Sequence, residues 1–226
     1  MKKILDLFFS PTEVFKQLDE KPDWLLPVVI TLIIILIFSM LTLPKVLLPE
    51  RSKRIMSMQN LTPEQKDKIL SSLTGIRPFI TTPLSIIIFT FIIILLKAGL
   101  FFLIFLIFGA KTLFKKTLAV VSYSFLVGIP ETIIKSSLML VKKTTRVFTS
   151  LALFFPNLGF KSPAFTFLSR IDIFTIWNLI LISLGFAVIY RIKKGKSFSI
   201  VFGFWVLWLL VQLGIAFILP KNIYFS

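Results

Sequence analysis

Lys97, Glu131 and Lys135 are the residues whose type and position invite a chemical explanation, because each interrupts an otherwise apolar stretch. Lys97 falls within "LSIIIFTFIIILLKAGLFFLIFLIF", where a lone ammonium costs roughly 2.5 to 3.5 kcal/mol on insertion scales. Lys97 lies 12 residues before Gly109, and Glu131 lies 15 after Lys116. Measured from that short polar break, their depths agree within about one helical turn, roughly 5 Å. The spacing predicts an ion pair between Lys97 and Glu131 across a helical hairpin. Lys135, four residues beyond Glu131, is placed to share the carboxylate. Such a cluster has two readings: a buried pair that fixes helix register, or a polar path for an ion or proton. Snorkelling of Lys97 to the interface is the third.

The remaining side chains narrow the chemistry. The 226 residues include no Cys and no His, which removes disulfides, thiol nucleophiles and imidazole bases or ligands. Histidine-based metalloproteases and Ser–His hydrolases go with them. An aspartyl intramembrane protease needs two membrane aspartates, and only Asp172 lies near an apolar run. A Ser–Lys dyad on Lys97 or Lys135 has no marked serine. The sequence therefore reads as non-enzymatic, with no catalytic residue, no cofactor and no metal site.

The elements that hold these residues follow from hydropathy. The chain is 56% hydrophobic with 26 Phe and a mean hydropathy of +0.93, against about 45 to 50% apolar residues in a soluble domain. Five runs reach the roughly 20 helical residues that cross a bilayer: about 25–43, 84–108, 118–141, 171–190 and 200–219. The third contains Gly128, Pro130, Glu131 and Lys135, so a kink near Pro130 is expected. The expected fold is all-α, an integral membrane helical bundle of five transmembrane helices with short amphipathic surface helices. Residues 1–24 form an N-terminal segment, 25–219 the membrane domain and 220–226 a short tail.

The intervening pieces carry helix-start signals. In "SPTE", Ser10 caps, Pro11 leads and Glu13 can reach back to the cap. The helix that follows, to about Glu20, gathers Val14, Phe15 and Leu18 on one face, which suits a helix laid on the membrane surface. Pro22 ends it, and Trp24 sits at headgroup depth as an interface anchor. Asp6 interrupts the apolar start, against a cleavable signal peptide. In "LTPEQKDKIL", Thr62 caps and Gln65 answers, with Ile69, Leu70 and Leu73 on one edge of a second surface helix. Both helices have a plainer reading as solvated linkers. Ser169 and Asp172 have capping-box spacing at the start of the fourth run, where the helix dipole also favours a carboxylate. Trp177, Trp205 and Trp208 suit packing or depth anchoring. "TSLALFF" at 149–155, ahead of Pro156, is too short to span and reads as interfacial or re-entrant.

Charge sets the expected orientation. The formal net charge is +16, but the basic residues cluster between apolar runs, where they orient helices rather than bind nucleic acid. "RIKKGK" at 191–196 has four basic residues and "GAKTLFKK" at 109–116 has three. Both are expected in the cytoplasm, which places the N-terminus there as well, in the cell membrane. The connections 44–83 and 142–170 carry seven and five basic residues, but long loops weigh less.

Taken in order, "FFSPTEVFKQLDEKPDWLLP", "LTPEQKDKIL", "FGAKTLFKKTLAVVSYS", "TSLALF" and "SRIDIFTIWNLILISLGFAVIYRIKKGKS" resemble the bacterial branch of the YIP1 family over nearly the whole chain. The resemblance implies an all-helical five-span membrane protein with a cytoplasmic N-terminus, and no established reaction. Eukaryotic relatives act in vesicle traffic and associate with small Rab-type GTPases and related membrane proteins. Their Asp-Leu-x-Gly-Pro signature corresponds here to "DLFFSP", with one extra residue and Ser10 in place of Gly, so a small GTPase partner is implied only by distant analogy. The expected role is a membrane scaffold whose partners are the lipid bilayer and other membrane proteins or further copies of itself. The alternative is a small oligomeric transporter built on Lys97, Glu131 and Lys135.

Because the native chain has no Cys, introduced cysteines report topology directly. Lys194→Cys should react with an impermeant thiol reagent only from the cytoplasmic side; reaction only from outside overturns the orientation.

Overall fold

In hydrocarbon no water is available to backbone N–H and C=O groups, so an apolar chain must satisfy them within itself, and the helix does so segment by segment. A computed structural model describes residues 2–155, 157–159 and 162–218, which are helices and connecting turns with no strand among them. Pro156, Leu219 at the end of the expected fifth span, and the tail from Pro220 lie outside the described residues. The elements are α1 (Lys2–Phe9), α2 (Pro11–Glu20), α3 (Leu25–Thr42), α4 (Leu48–Ser57), α5 (Pro63–Ser72), α6 (Arg77–Ile107), α7 (Phe114–Ser124), α8 (Gly128–Lys142), α9 (Pro163–Arg170), α10 (Ile173–Ile189) and α11 (Lys194–Ile218).

Among the described residues four continuous helices are long and apolar enough to cross a membrane: Leu25–Ser57, Arg77–Ile107, Phe114–Lys142 and Lys194–Ile215. The fourth apolar run of the sequence is α10, a helix of 17 residues. At 1.5 Å per residue it is about 25 Å long, near the lower bound for a span.

Proline explains where the long helices depart from regular winding. The first expected span stops near residue 43, but the helix continues through a π turn at Leu43–Leu47 into α4. Pro49 has no N–H to offer the carbonyl four residues back, and in this turn the Leu48 N–H donates five residues back to Leu43. Pro130 acts in the same way. The carbonyl it cannot serve belongs to Leu126, and the helix tightens there into a 3₁₀ segment, Phe125–Val127, between α7 and α8. The irregularity expected near Pro130 therefore falls one turn earlier. α6 ends on Gly109 at φ 78°. Ala110 N–H donates to Phe105 O at 2.9 Å there, the backbone pattern of a left-handed glycine cap.

The chain divides into two compact units, Met1–Val28 with Ile94–Val127 and Phe148–Ser226, and Val29–Ile93 with Gly128–Val147. In the first unit α10 packs against α2, α7 and α11, and α1 packs on α2. Phe105 stacks on Tyr190 with centroids 4.4 Å apart, and Phe186 meets Phe105 edge-on at 4.9 Å. The apolar face of α2 is fully inside this unit: Val14 is 1% exposed and Phe15 and Leu18 are 0%. The expected bed of lipid under α2 is thus corrected to a bed of protein, because α7 and α10 offer a complementary surface. Gly185 makes the close approach possible. A Cβ at that position would stand 2.4 Å from Val120 Cγ1 and 3.0 Å from Phe15 Cε1.

In the second unit α4 packs on α5 and the π turn, and α8 also meets the π turn. Thr145 N–H donates to Glu50 Oε2 at 2.8 Å, and its hydroxyl donates to the same oxygen. α5 buries no residue in the protein. Thr62 Oγ1 accepts from Gln65 N–H at 3.2 Å, and Gln65 Oε1 accepts from Thr62 N–H at 3.0 Å.

Gly185→Ala should destabilise the purified protein by about 1 to 3 kcal/mol, the usual cost of overpacking, read as a lowered thermal midpoint. Adding Val120→Ala should recover part of the loss. An unchanged midpoint in Gly185→Ala would refute the close approach.

Candidate functional site

The polar groups of the first unit's apolar helices meet at Asn178. α6 carries Lys97 ten residues before its end at Ile107, about 15 Å inside by helical rise. Lys97 Nζ donates to Asn178 Oδ1 at 2.5 Å. Asn178 Nδ2 in turn donates to the carbonyl oxygen of Ser124 at 2.6 Å. Ser124 is the last residue of α7, and carbonyls at a helix end lack the regular ladder partner. One neutral amide thus accepts from an ammonium on α6 and supplies a donor to the end of α7. Around it, all residues from Thr117 to Ser124 are buried, and the hydroxyls of Ser122 and Ser124 have no hydrogen-bond partner.

The expected partner, Glu131, is engaged elsewhere. Glu131 Oε1 accepts from Lys135 Nζ at 2.6 Å, an i,i+4 pair along α8. Glu131 and Lys135 belong to the second unit and Lys97 to the first. The two carriers of charge therefore have separate partners, each within its own unit. Asn178 was overlooked in reading the sequence for opposite charge. Depth would have found it, since it lies 13 residues before Arg191, as Lys97 lies 12 before Gly109.

A second constellation holds α2 at its polar edge. Asp19 receives the Lys116 ammonium and stands 3.9 Å from Arg191 Nη2. Tyr123 Oη, on a fully buried ring, donates to Asp23 Oδ1 at 2.7 Å. Lys3 lies 3.6 Å from the other Asp23 oxygen. Thr117 Oγ1 and Tyr190 Oη are 2.8 Å apart. Lys116, in the first turn of α7, and Arg191, in the loop after α10, thus both converge on one carboxylate of α2.

The other sequence-derived positions take their places as follows. Asp172 is itself the N-cap of α10, accepting from Phe174 N–H at 2.9 Å and from Thr149 Oγ1 at 2.5 Å. Ser169, expected to cap there, lies in the last turn of α9, and its hydroxyl donates to Thr166 O at 2.7 Å. The cap shifts because α9 stays helical to Arg170. Ser10 occupies the N-cap of α2 without a side-chain cap bond. Its N–H already donates to Asp6 O at 2.6 Å, so Glu13 is not needed there and instead pairs with Lys16 at 2.8 Å. Trp24 is half-buried directly before α3. The 3₁₀ turn Leu151–Phe154 leaves Leu153 and Phe154 exposed.

In chemical terms Lys97 faces a neutral amide, while Glu131 is neutralised by a lysine on its own helix. Among the described residues no three His, Cys, Asp or Glu side chains converge to hold a metal ion. The arrangement is suited to fixing helix rotation and depth. In comparison with known proteins, the family model described as Yip1 domain matches residues 5–216. No curated protein and no solved structure matches the chain.

Asn178→Leu should lower stability by about 1 to 3 kcal/mol, because it strands a buried ammonium and a carbonyl. Its cost should shrink in a Lys97→Met background and stay unchanged in a Glu131→Gln background. Additive losses for Lys97 and Asn178 would show that the two side chains do not couple.

Proposed function

The chain belongs to the Yip1 domain family, and on that premise we propose that it is a non-enzymatic multi-pass membrane scaffold that gathers other membrane proteins. In this reading α10, capped by Asp172, is the fourth of five crossings, and the N-terminus and the two short basic loops face the cytoplasm of the cell membrane. The observation that carries the proposal is the use of the intramembrane polar groups. Lys97 is held by Asn178 and Asn178 by Ser124, which ties α6, α7 and α10 together, and Glu131 is paired with Lys135 along α8, so the groups a transporter would set along a path are engaged within the protein.

The first unit also presents a surface for partners. Leu5 and Phe9, four residues apart on α1, are 65% and 85% exposed while Leu7 is 0% exposed. Their helix is fixed by its packing on α2, so the apolar pair is displayed from a rigid base. A displayed pair of this kind suits an apolar contact on a neighbouring protein.

In-cell crosslinking of the tagged chain, followed by affinity recovery, should retrieve membrane proteins. Leu5→Ser combined with Phe9→Ser should reduce that recovery several-fold without changing the thermal midpoint. Proteoliposome flux that disappears in Glu131→Gln would replace the scaffold with a transporter.

A further inference from the structure

The second unit contains an open groove of about 460 Å³ between α4 and α6, and its lining changes character along its length. At one end stand Arg51 of α4 and Thr81 of α6, residues that flank the apolar runs. At the other stand Phe89 and Ile93, well inside the apolar run of α6. From Thr81 to Ile93 the groove follows α6 for about 18 Å by helical rise. That is the scale of a glycerophospholipid from phosphate to mid-chain.

The polar atoms are not equally available. Thr81 Oγ1 and Ser85 Oγ donate to their own helix, to Arg77 O at 3.0 Å and Thr81 O at 2.7 Å. Arg51 is exposed and forms no ion pair among the described residues. Thr90 also lines the groove and is only 8% exposed. The guanidinium at the polar end is a donor free to meet a ligand that accepts, and beyond Ser85 the lining is mostly apolar.

We propose that this groove binds an anionic phospholipid. The phosphate sits at Arg51, whose planar fork matches its oxygens. The glycerol esters follow within the polar half, and an acyl chain lies along Phe89 and Ile93. A free anion would use only the Arg51 end and leave the apolar walls without a role, whereas an amphiphile uses the whole length. The proposal goes beyond the scaffold reading and needs only that α3 and α6 cross the bilayer, so failure to recover partners leaves it standing.

The test is native mass spectrometry of the purified full chain in detergent, titrated separately with phosphatidylglycerol, phosphatidylcholine and inorganic phosphate. Phosphatidylglycerol should bind more tightly than phosphatidylcholine. Arg51→Gln should weaken phosphatidylglycerol about tenfold and abolish the preference, as expected for loss of a charge-assisted hydrogen bond. Ile93→Trp, which fills the apolar end, should weaken both lipids. Lys53→Gln, on the same helix as Arg51, should change nothing. Thermal midpoints of the variants report folding independently. Equal binding of the two lipids to the native chain, displacement of phosphatidylglycerol by phosphate alone, or unchanged binding in Ile93→Trp would each overturn the site.

Discussion

The structure depends on a single constraint: a polar group carried into hydrocarbon must find its partner in the protein. Asn178 answers it twice, because a carboxamide is both acceptor and donor and can satisfy an ammonium and a carbonyl at once. A carboxylate opposite Lys97 would have supplied more Coulomb attraction, but it would also have brought a second charge to desolvate. The amide leaves one charge to accommodate and gives the carbonyl of Ser124, where α7 turns irregular, a donor. The same need recurs at Pro130, where the helix meets it by rewinding.

Built on that seat, the first unit is more a folded protein than a set of independent spans. α2 is amphipathic in sequence, yet its apolar face is covered as completely as the centre of a soluble domain, with Phe15 set against Gly185 and Val120. Its polar edge is held by groups from two separate places in the chain, Lys116 at the start of α7 and Arg191 after α10, acting on Asp19. Exposed ion pairs are worth little individually. Here the side chain of Asp19 is only 19% exposed, and its partners come from segments that the apolar packing has already brought together, so the pairs select a docking position.

What the sequence disclosed, it disclosed where cause and effect lie close together. Hydropathy is a property of neighbours, so the long helices and the all-helical class were legible. The Thr62 and Gln65 bonds close within one turn, and spacing alone finds them. The partner of Lys97 was not legible by charge, since which helices face one another is a tertiary fact and opposite charge pointed to Glu131. The fate of α2 was hidden for a related reason: an apolar face declares that it will be covered but not whether lipid or protein will cover it. Ser169 failed as a cap because α9 runs one residue past it, a boundary set by packing that no capping pattern encodes.

The seat of α2 also has a consequence in time. Phe15 leaves the ribosome well before Gly185, the residue that admits it, which follows 170 residues later. At roughly 5 to 20 residues per second, synthesis of the intervening chain takes on the order of 10 to 30 seconds. Throughout that interval the Val14, Phe15 and Leu18 face has no finished site to enter and must be sheltered by the leaflet or by another protein. The face that ends wholly inside the unit therefore begins without its cover, and α2 reaches its final seat only after α7 and α10 are in place.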